Sequence, residues 1–132
     1  MKSRILSLLR VVVPAMAIGL VVLPKLGAYI AEDTRHHRAY EDLHELSKSV
    51  EDYHATTGAY PTTAEGFDVM IHRPDPATSK WRRIIKVVPI DPWPNHYCYR
   101  LASREGKETP EVLSCGSDGV LGTEDDLSSL DD

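Results

Sequence analysis

The chain has 132 residues, a net charge of −5 and an isoelectric point near 5.6. That length holds one modest domain plus an extended element. The sequence has no dense basic patch, which argues against nucleic acid as a partner.

Residues 5–30 are almost wholly apolar, with Arg10 and Lys25 as the sole charges. A cleaved secretory signal would use Met1-Lys2-Ser3-Arg4 as its basic end and Ala15-Met16-Ala17 as a small-x-small site, but Arg10 interrupts its apolar core. A buried soluble helix would need a partner on every face, more than the remaining chain supplies. A membrane anchor or filament helix fits best, because Val11 to Leu23 is free of charge and Arg10 can snorkel toward head groups. Lys2, Arg4 and Arg10 precede this span, whereas Glu32 and Asp33 follow it. The bias places the amino end in the cytoplasm and the rest outside, in an oxidising compartment. The expected division is residues 1–31 as a hydrophobic helix and 32–132 as a domain beyond the membrane.

Ala31 to Thr57 is polar but carries Tyr40, Leu43, Leu46, Val50 and Tyr53, spaced to form one stripe of a helix. Both halves read as one helix of about 50 residues, ~75 Å if unbroken. Pro14 and Pro24 are expected to bend it or open its hydrogen bonding. Gly58 offers a left-handed stop.

Ala59-Tyr60-Pro61 should be extended, and Thr62 with Glu65 fits a capping box ahead of a short helix burying Phe67, Met70 and Ile71. His72 to Ser79, with Pro74 and Pro76, reads as a loop, and Trp81 to Val88 as an apolar run of unassigned structure. Asp91-Pro92-Trp93-Pro94-Asn95 is a rigid turn. It leads into a hairpin of Tyr97 to Leu101 and Glu111 to Cys115, joined by polar Ser103 to Pro110.

Three sets of residues are candidates for chemistry. From Gly116 to Asp132 there are six carboxylates and no Lys or Arg. Asp118, Asp125 and Asp126 lie there among Gly116, Gly119 and Gly122. Hard carboxylate oxygens in a flexible glycine loop suit Ca²⁺. A solvated acidic tail explains the same run equally well. Cys98 and Cys115 flank a midpoint between Gly106 and Lys107, so a symmetric hairpin would set them opposite one another as a disulfide pair. His36, His37, His44 and His54 on the polar half-helix read as solvated surface. The sequence has no His-Glu-x-x-His, Cys-x-x-Cys or Gly-x-Ser-x-Gly pattern to support an enzyme.

Three segments together resemble the major pseudopilins of bacterial type II secretion, a branch of the type IV pilin superfamily. Tyr53 to Phe67 contains a Gly-Ala-Tyr-Pro-Thr core similar to the family's segment after its long helix. Asp91 to Tyr99 resembles its Asp-Pro-Trp-Gly-Asn-Pro-Tyr-x-Tyr, with Pro94 for glycine and His96 for proline. Ser114 to Gly119 and Gly122 to Asp126 resemble its calcium loop, and Leu20 to Pro24 is similar within the helix.

The resemblance implies an α+β pilin-like fold, with a long N-terminal helix packed on a short antiparallel sheet and a calcium-binding C-terminal loop. It implies Ca²⁺ held by side chains of Asp118, Asp125 and Asp126 and carbonyls of Cys115 and Val120. It further implies a structural subunit without catalytic activity, single-pass in the inner membrane with its domain in the periplasm. Such subunits polymerise with copies of themselves and with other pseudopilins, on an inner-membrane platform, to drive folded cargo outward. Counting back from Pro24 puts the family's leader glycine at Lys2 and its processing glutamate at Ser7, so the peptidase signature is unmatched. The alternative is a membrane-anchored periplasmic interaction module that does not polymerise.

Overall fold

The computed structural model describes residues 2–74, 81–104 and 106–131, with side chains from residue 22 onward. Helix α1 spans Lys2–Thr57 and α2 spans Asp68–Ile71. They are followed by strands β1 (Cys98–Arg104), β2 (Lys107–Ser114) and β3 (Leu127–Ser128). The chain divides into two compact units, one ending at Arg35 and one beginning at His36.

In the first unit the helix runs through Pro14 and Pro24. Proline lacks an N–H and crowds the preceding turn, so some helical hydrogen bonding is forfeited at each. Val22, Leu23, Leu26, Tyr29 and Ile30 are all exposed. The described residues include no helix long and apolar enough to cross a membrane. The expected span over 11–23 lies largely outside the described side chains.

In the second unit the helix buries Ala39, Leu43, Leu46, Val50 and Tyr53. Their spacing of four, three, four and three keeps one stripe facing the sheet. Tyr40, expected on that stripe, is 43% exposed instead. It lies one residue from Ala39, about 100° around the helix, so the smaller side chain takes the inward place. At the far end Gly58, at φ +89°, donates its N–H to the His54 carbonyl at 2.8 Å and stops the helix as expected.

The capping box forms, but it closes a turn rather than opening a helix. Glu65 Oε2 accepts from the Thr62 N–H at 2.8 Å and from Thr62 Oγ1 at 2.7 Å, and the Glu65 N–H donates to Thr62 Oγ1 at 3.3 Å. Gly66 then turns to φ +54°, outside the helical region, so α2 begins only at Asp68. Phe67 and Met70 are buried as expected, whereas Ile71 is half-buried and Val69, not expected inside, is buried in its place.

Trp81 to Val88 forms neither helix nor strand. The segment is held by α2 instead: the Ile84 backbone N–H donates to the Met70 carbonyl at 3.0 Å, and the Trp81 side-chain Nε1 to the Val69 carbonyl at 2.6 Å. Trp81, Ile84, Ile85 and Val88 pack against the core while Val87 points to solvent. The expected loop over 72–79 is described only to Pro74, where it is irregular.

The sheet is antiparallel in the order β1-β2-β3. The hairpin is longer and tighter than the polar composition suggests. Arg104 pairs with Lys107, so Ser103 to Pro110, expected as a turn, is mostly ladder. Polar residues suit it because the distal end of the hairpin is exposed. Tyr97 and Tyr99 face the core. Tyr97 Oη donates to Asp42 Oδ2 and Tyr99 Oη to the Pro61 carbonyl, each at 2.9 Å, so the polar tip of each buried ring is satisfied. Burial pushes the Tyr99 hydroxyl up to about 12.

Candidate calcium loop

The loop between β2 and β3 begins at a buried polar joint. Asp91 is nearly inaccessible and spends both carboxylate oxygens. Oδ1 accepts from the N–H groups of Trp93 at 3.0 Å and Asn95 at 2.7 Å, and Oδ2 from Ser114 Oγ at 2.7 Å. An aspartate that bonds the backbone two residues on forms an Asx-type turn, which accounts for the turn expected at Asp-Pro-Trp-Pro-Asn. Asn95 carries the brace across, its Nδ2 donating to the Gly116 carbonyl at 2.9 Å. The root of the loop is therefore fixed by the turn preceding β1.

Gly116 sits at φ +58°, and a side chain there would fall onto the Asp125 carbonyl oxygen and 2.6 Å from Asp125 Oδ2. Only glycine permits that approach. Asp125 uses the space to gather the loop's donors. Oδ2 accepts from Ser117 N–H at 2.7 Å, Ser117 Oγ at 2.9 Å and Asp118 N–H at 3.0 Å, and Oδ1 from Thr123 Oγ1 at 2.8 Å. Hydrogen bonds from Thr123 first, then Ser117 and Asp118, hold its carboxyl well below the usual carboxylate range.

The two other aspartates are less heavily engaged. Asp118 Oδ1 accepts from the Val120 N–H at 2.8 Å, and Asp126 Oδ2 from the Gly122 N–H at 2.6 Å. Among the described residues, Asp126 Oδ1 is buried with no hydrogen-bond partner. Buried polar atoms almost always have partners, so this oxygen calls for a cation or donor. The Cys115 carbonyl accepts from the Gly119 N–H at 3.2 Å and the Val120 carbonyl from Thr123 Oγ1 at 2.9 Å. Each carbonyl keeps a second lone pair.

The structure thus brings Asp118, Asp125, Asp126, Cys115 and Val120 into one braced loop. It does not converge them: among the described residues no three His, Cys, Asp or Glu side chains are grouped as a metal site. The donor types suit a hard cation. Asp125 is the member turned most fully to the loop's own hydrogen bonds. Sequence reasoning missed Asp91, Asn95 and Ser114 as the loop's foundation. The Asp-Pro-Trp-Pro-Asn turn was visible, but nothing local shows that its carboxylate reaches a serine 23 residues away.

The second expected site needs a correction of register. Cys98 pairs with Leu113, not with Cys115, because the hairpin closes between Arg104 and Lys107. The error is two residues, which leaves the side chain on the same face. The thiols are therefore diagonal neighbours, with Sγ atoms 3.9 Å apart and both cysteines free.

A long helix, a short antiparallel sheet and a braced C-terminal loop define a pilin-like fold. The type II secretion system protein G family matches residues 29–131. Type II secretion system core protein G of Aeromonas hydrophila is 30% identical over 130 residues, covering 93% of this chain and 89% of the relative. The Escherichia coli K12 protein of the same name is 30% identical over 135 residues, covering 97% and 91%. The crystal structure of the major pseudopilin from enterohaemorrhagic E. coli superposes with a TM-score of 0.62 at 27% identity, covering 73% of this chain and 86% of that one. The chain belongs to the type II secretion system protein G family. Its function is that of a structural subunit of a secretion pseudopilus.

Proposed function

We propose that the chain polymerises through the apolar face of its N-terminal helix, and that a Ca²⁺ ion in the 115–126 loop keeps its outer domain rigid within the filament. Self-association is supported by Val22, Leu23, Leu26, Tyr29 and Ile30, a run of large apolar side chains all exposed on one helix. Such a run is stable only against lipid or other apolar helices. Insertion in the inner membrane before assembly, with the domain in the periplasm, fits that surface and the charge bias around it. Other pseudopilins and the inner-membrane platform are the partners this role requires. The subunit acts by position and stiffness and catalyses no reaction.

The metal reading is carried by the orphaned Asp126 Oδ1. Asp118 and Asp126 would contribute carboxylates, with the carbonyls of Cys115 and Val120 and, on releasing some of its present donors, Asp125. The ion supplies charge neutralisation and cross-linking. The Asp91 and Asn95 brace pre-orders one end of the loop, so the cation need only fasten the other.

Shearing cells that express the chain with its secretion machinery, then sedimenting the released material, tests polymerisation. Recovery of the chain in the sheared filaments is expected. Recovery solely in the inner-membrane fraction would replace polymerisation with a membrane-tethered interaction role.

A further inference from the structure

The role in the filament makes no use of the Cys98 and Cys115 thiols. Their Sγ atoms lie 3.9 Å apart, Cys98 half-buried at the first residue of β1 and Cys115 buried just past the end of β2. Cys98 faces Leu113 across the ladder, so Cys115 is its diagonal neighbour on the same face. Cys115 has already left the pairing, which ends with Ser114 opposite Leu127. Its backbone is therefore free of the ladder on that side. Closing 3.9 Å to a sulfur–sulfur bond of about 2.05 Å asks for a local adjustment, not a change of register.

We propose that Cys98 and Cys115 are a disulfide-forming pair that staples the root of the 115–126 loop to the start of β1. The oxidant is a disulfide-bearing thiol compound or a dithiol oxidase. Cys98, the more accessible thiol, gives up its proton and attacks one sulfur of the oxidant's disulfide; the other oxidant sulfur leaves as a thiolate and takes a proton. Cys115 Sγ then attacks Cys98 Sγ in the mixed disulfide, displacing the second oxidant sulfur, which takes the proton from Cys115. Two protein thiols are oxidised by two electrons and one oxidant disulfide is reduced to two thiols.

The closed ring contains the whole hairpin, from Cys98 to Cys115. It pins the residue whose neighbour Gly116 is held by Asn95, so covalent and hydrogen-bonded braces act on adjacent residues of the loop root. This inference rests on thiol geometry and is independent of the metal reading, since thiol content reports it with no cation present.

The test exposes the full purified chain to glutathione disulfide, then denatures and alkylates it. The expected product is a monomer about 2 Da lighter than the reduced chain, with no alkylatable thiol and one peptide pair joining Cys98 to Cys115. Its melting temperature should rise by more than about 5 °C, lost again on reduction. Cys98→Ser should keep one alkylatable thiol and show no oxidant-dependent shift. Two thiols still alkylatable after oxidation, glutathione adducts alone, or dimers linked between chains would each overturn the proposal.

Discussion

Asp91 and Ser114, 23 residues apart in sequence, are joined by a buried hydrogen bond of 2.7 Å between carboxylate and hydroxyl. The same carboxylate accepts from the Trp93 and Asn95 N–H groups, so one side chain orders the turn before β1 and anchors the end of β2.

Asp91→Ala removes an acceptor used by three donors, and should cost about 2–4 kcal/mol in urea unfolding. Asp91→Asn keeps an acceptor oxygen and should lose less. Equal losses for the two variants would show that charge, not the hydrogen-bond pattern, holds the joint.

Gly116 tolerates no side chain. The Gly116→Ala methyl would meet the Asp125 carbonyl and carboxylate at a backbone φ of +58°. About 2–4 kcal/mol of destabilisation is expected. Hydrogen exchange at the Ser117 and Asp118 amides, both bonded to Asp125, should accelerate with it. Unchanged exchange would show that the loop does not depend on this close approach.

Glu111 gives a pH-dependent contribution. Burial alone would raise its carboxyl, but hydrogen bonds from Arg100 at 2.6 Å and Ser128 at 2.7 Å, with the charges of Arg100 and Arg104, outweigh burial and hold it below its usual value. A carboxyl lowered in the folded state binds its proton more readily when unfolded. Its stabilisation is thus complete above the unfolded value, near 4.3, and disappears as pH falls through the lower folded value. Glu111→Gln should flatten the fall in stability below about pH 5. An identical slope in the variant would remove Glu111 from the acid response.

The helix stripe separates two neighbouring residues sharply. Leu43 is 1% exposed and Tyr40 is 43% exposed. Leu43→Ala should cost about 2–5 kcal/mol, Tyr40→Ala less than about 1 kcal/mol, in thermal or urea unfolding. Comparable costs would contradict the observed face.

What the sequence disclosed follows from how local each signal is. The long helix, its stop at Gly58 and the cores of β1 and β2 depend on nearest-neighbour periodicity and were legible. Tyr40 was misplaced because a single bulky residue outweighed the small Ala39 in the pattern, although Ala39 completes the better repeat. The hairpin was drawn too short because polar Arg104 and Lys107 look like a turn when they form the exposed end of a ladder. The two-residue shift displaced the cysteine pairing yet kept both thiols on one face, since strands repeat every two residues. Strand β3 has two residues and exists by pairing with β2, which no local pattern announces. The aspartates of the loop were evident from composition. Their division of labour, Asp125 serving the loop's own donors and Asp126 holding a bare buried oxygen, appears only when the chain is folded.

The most direct test is a calcium titration of the full chain followed by thermal unfolding. Binding to the folded state alone should raise the melting temperature progressively with Ca²⁺, reverse with EDTA, and be abolished in Asp126→Asn. A melting temperature that ignores both Ca²⁺ and EDTA would contradict the claim that this loop is built to hold a cation.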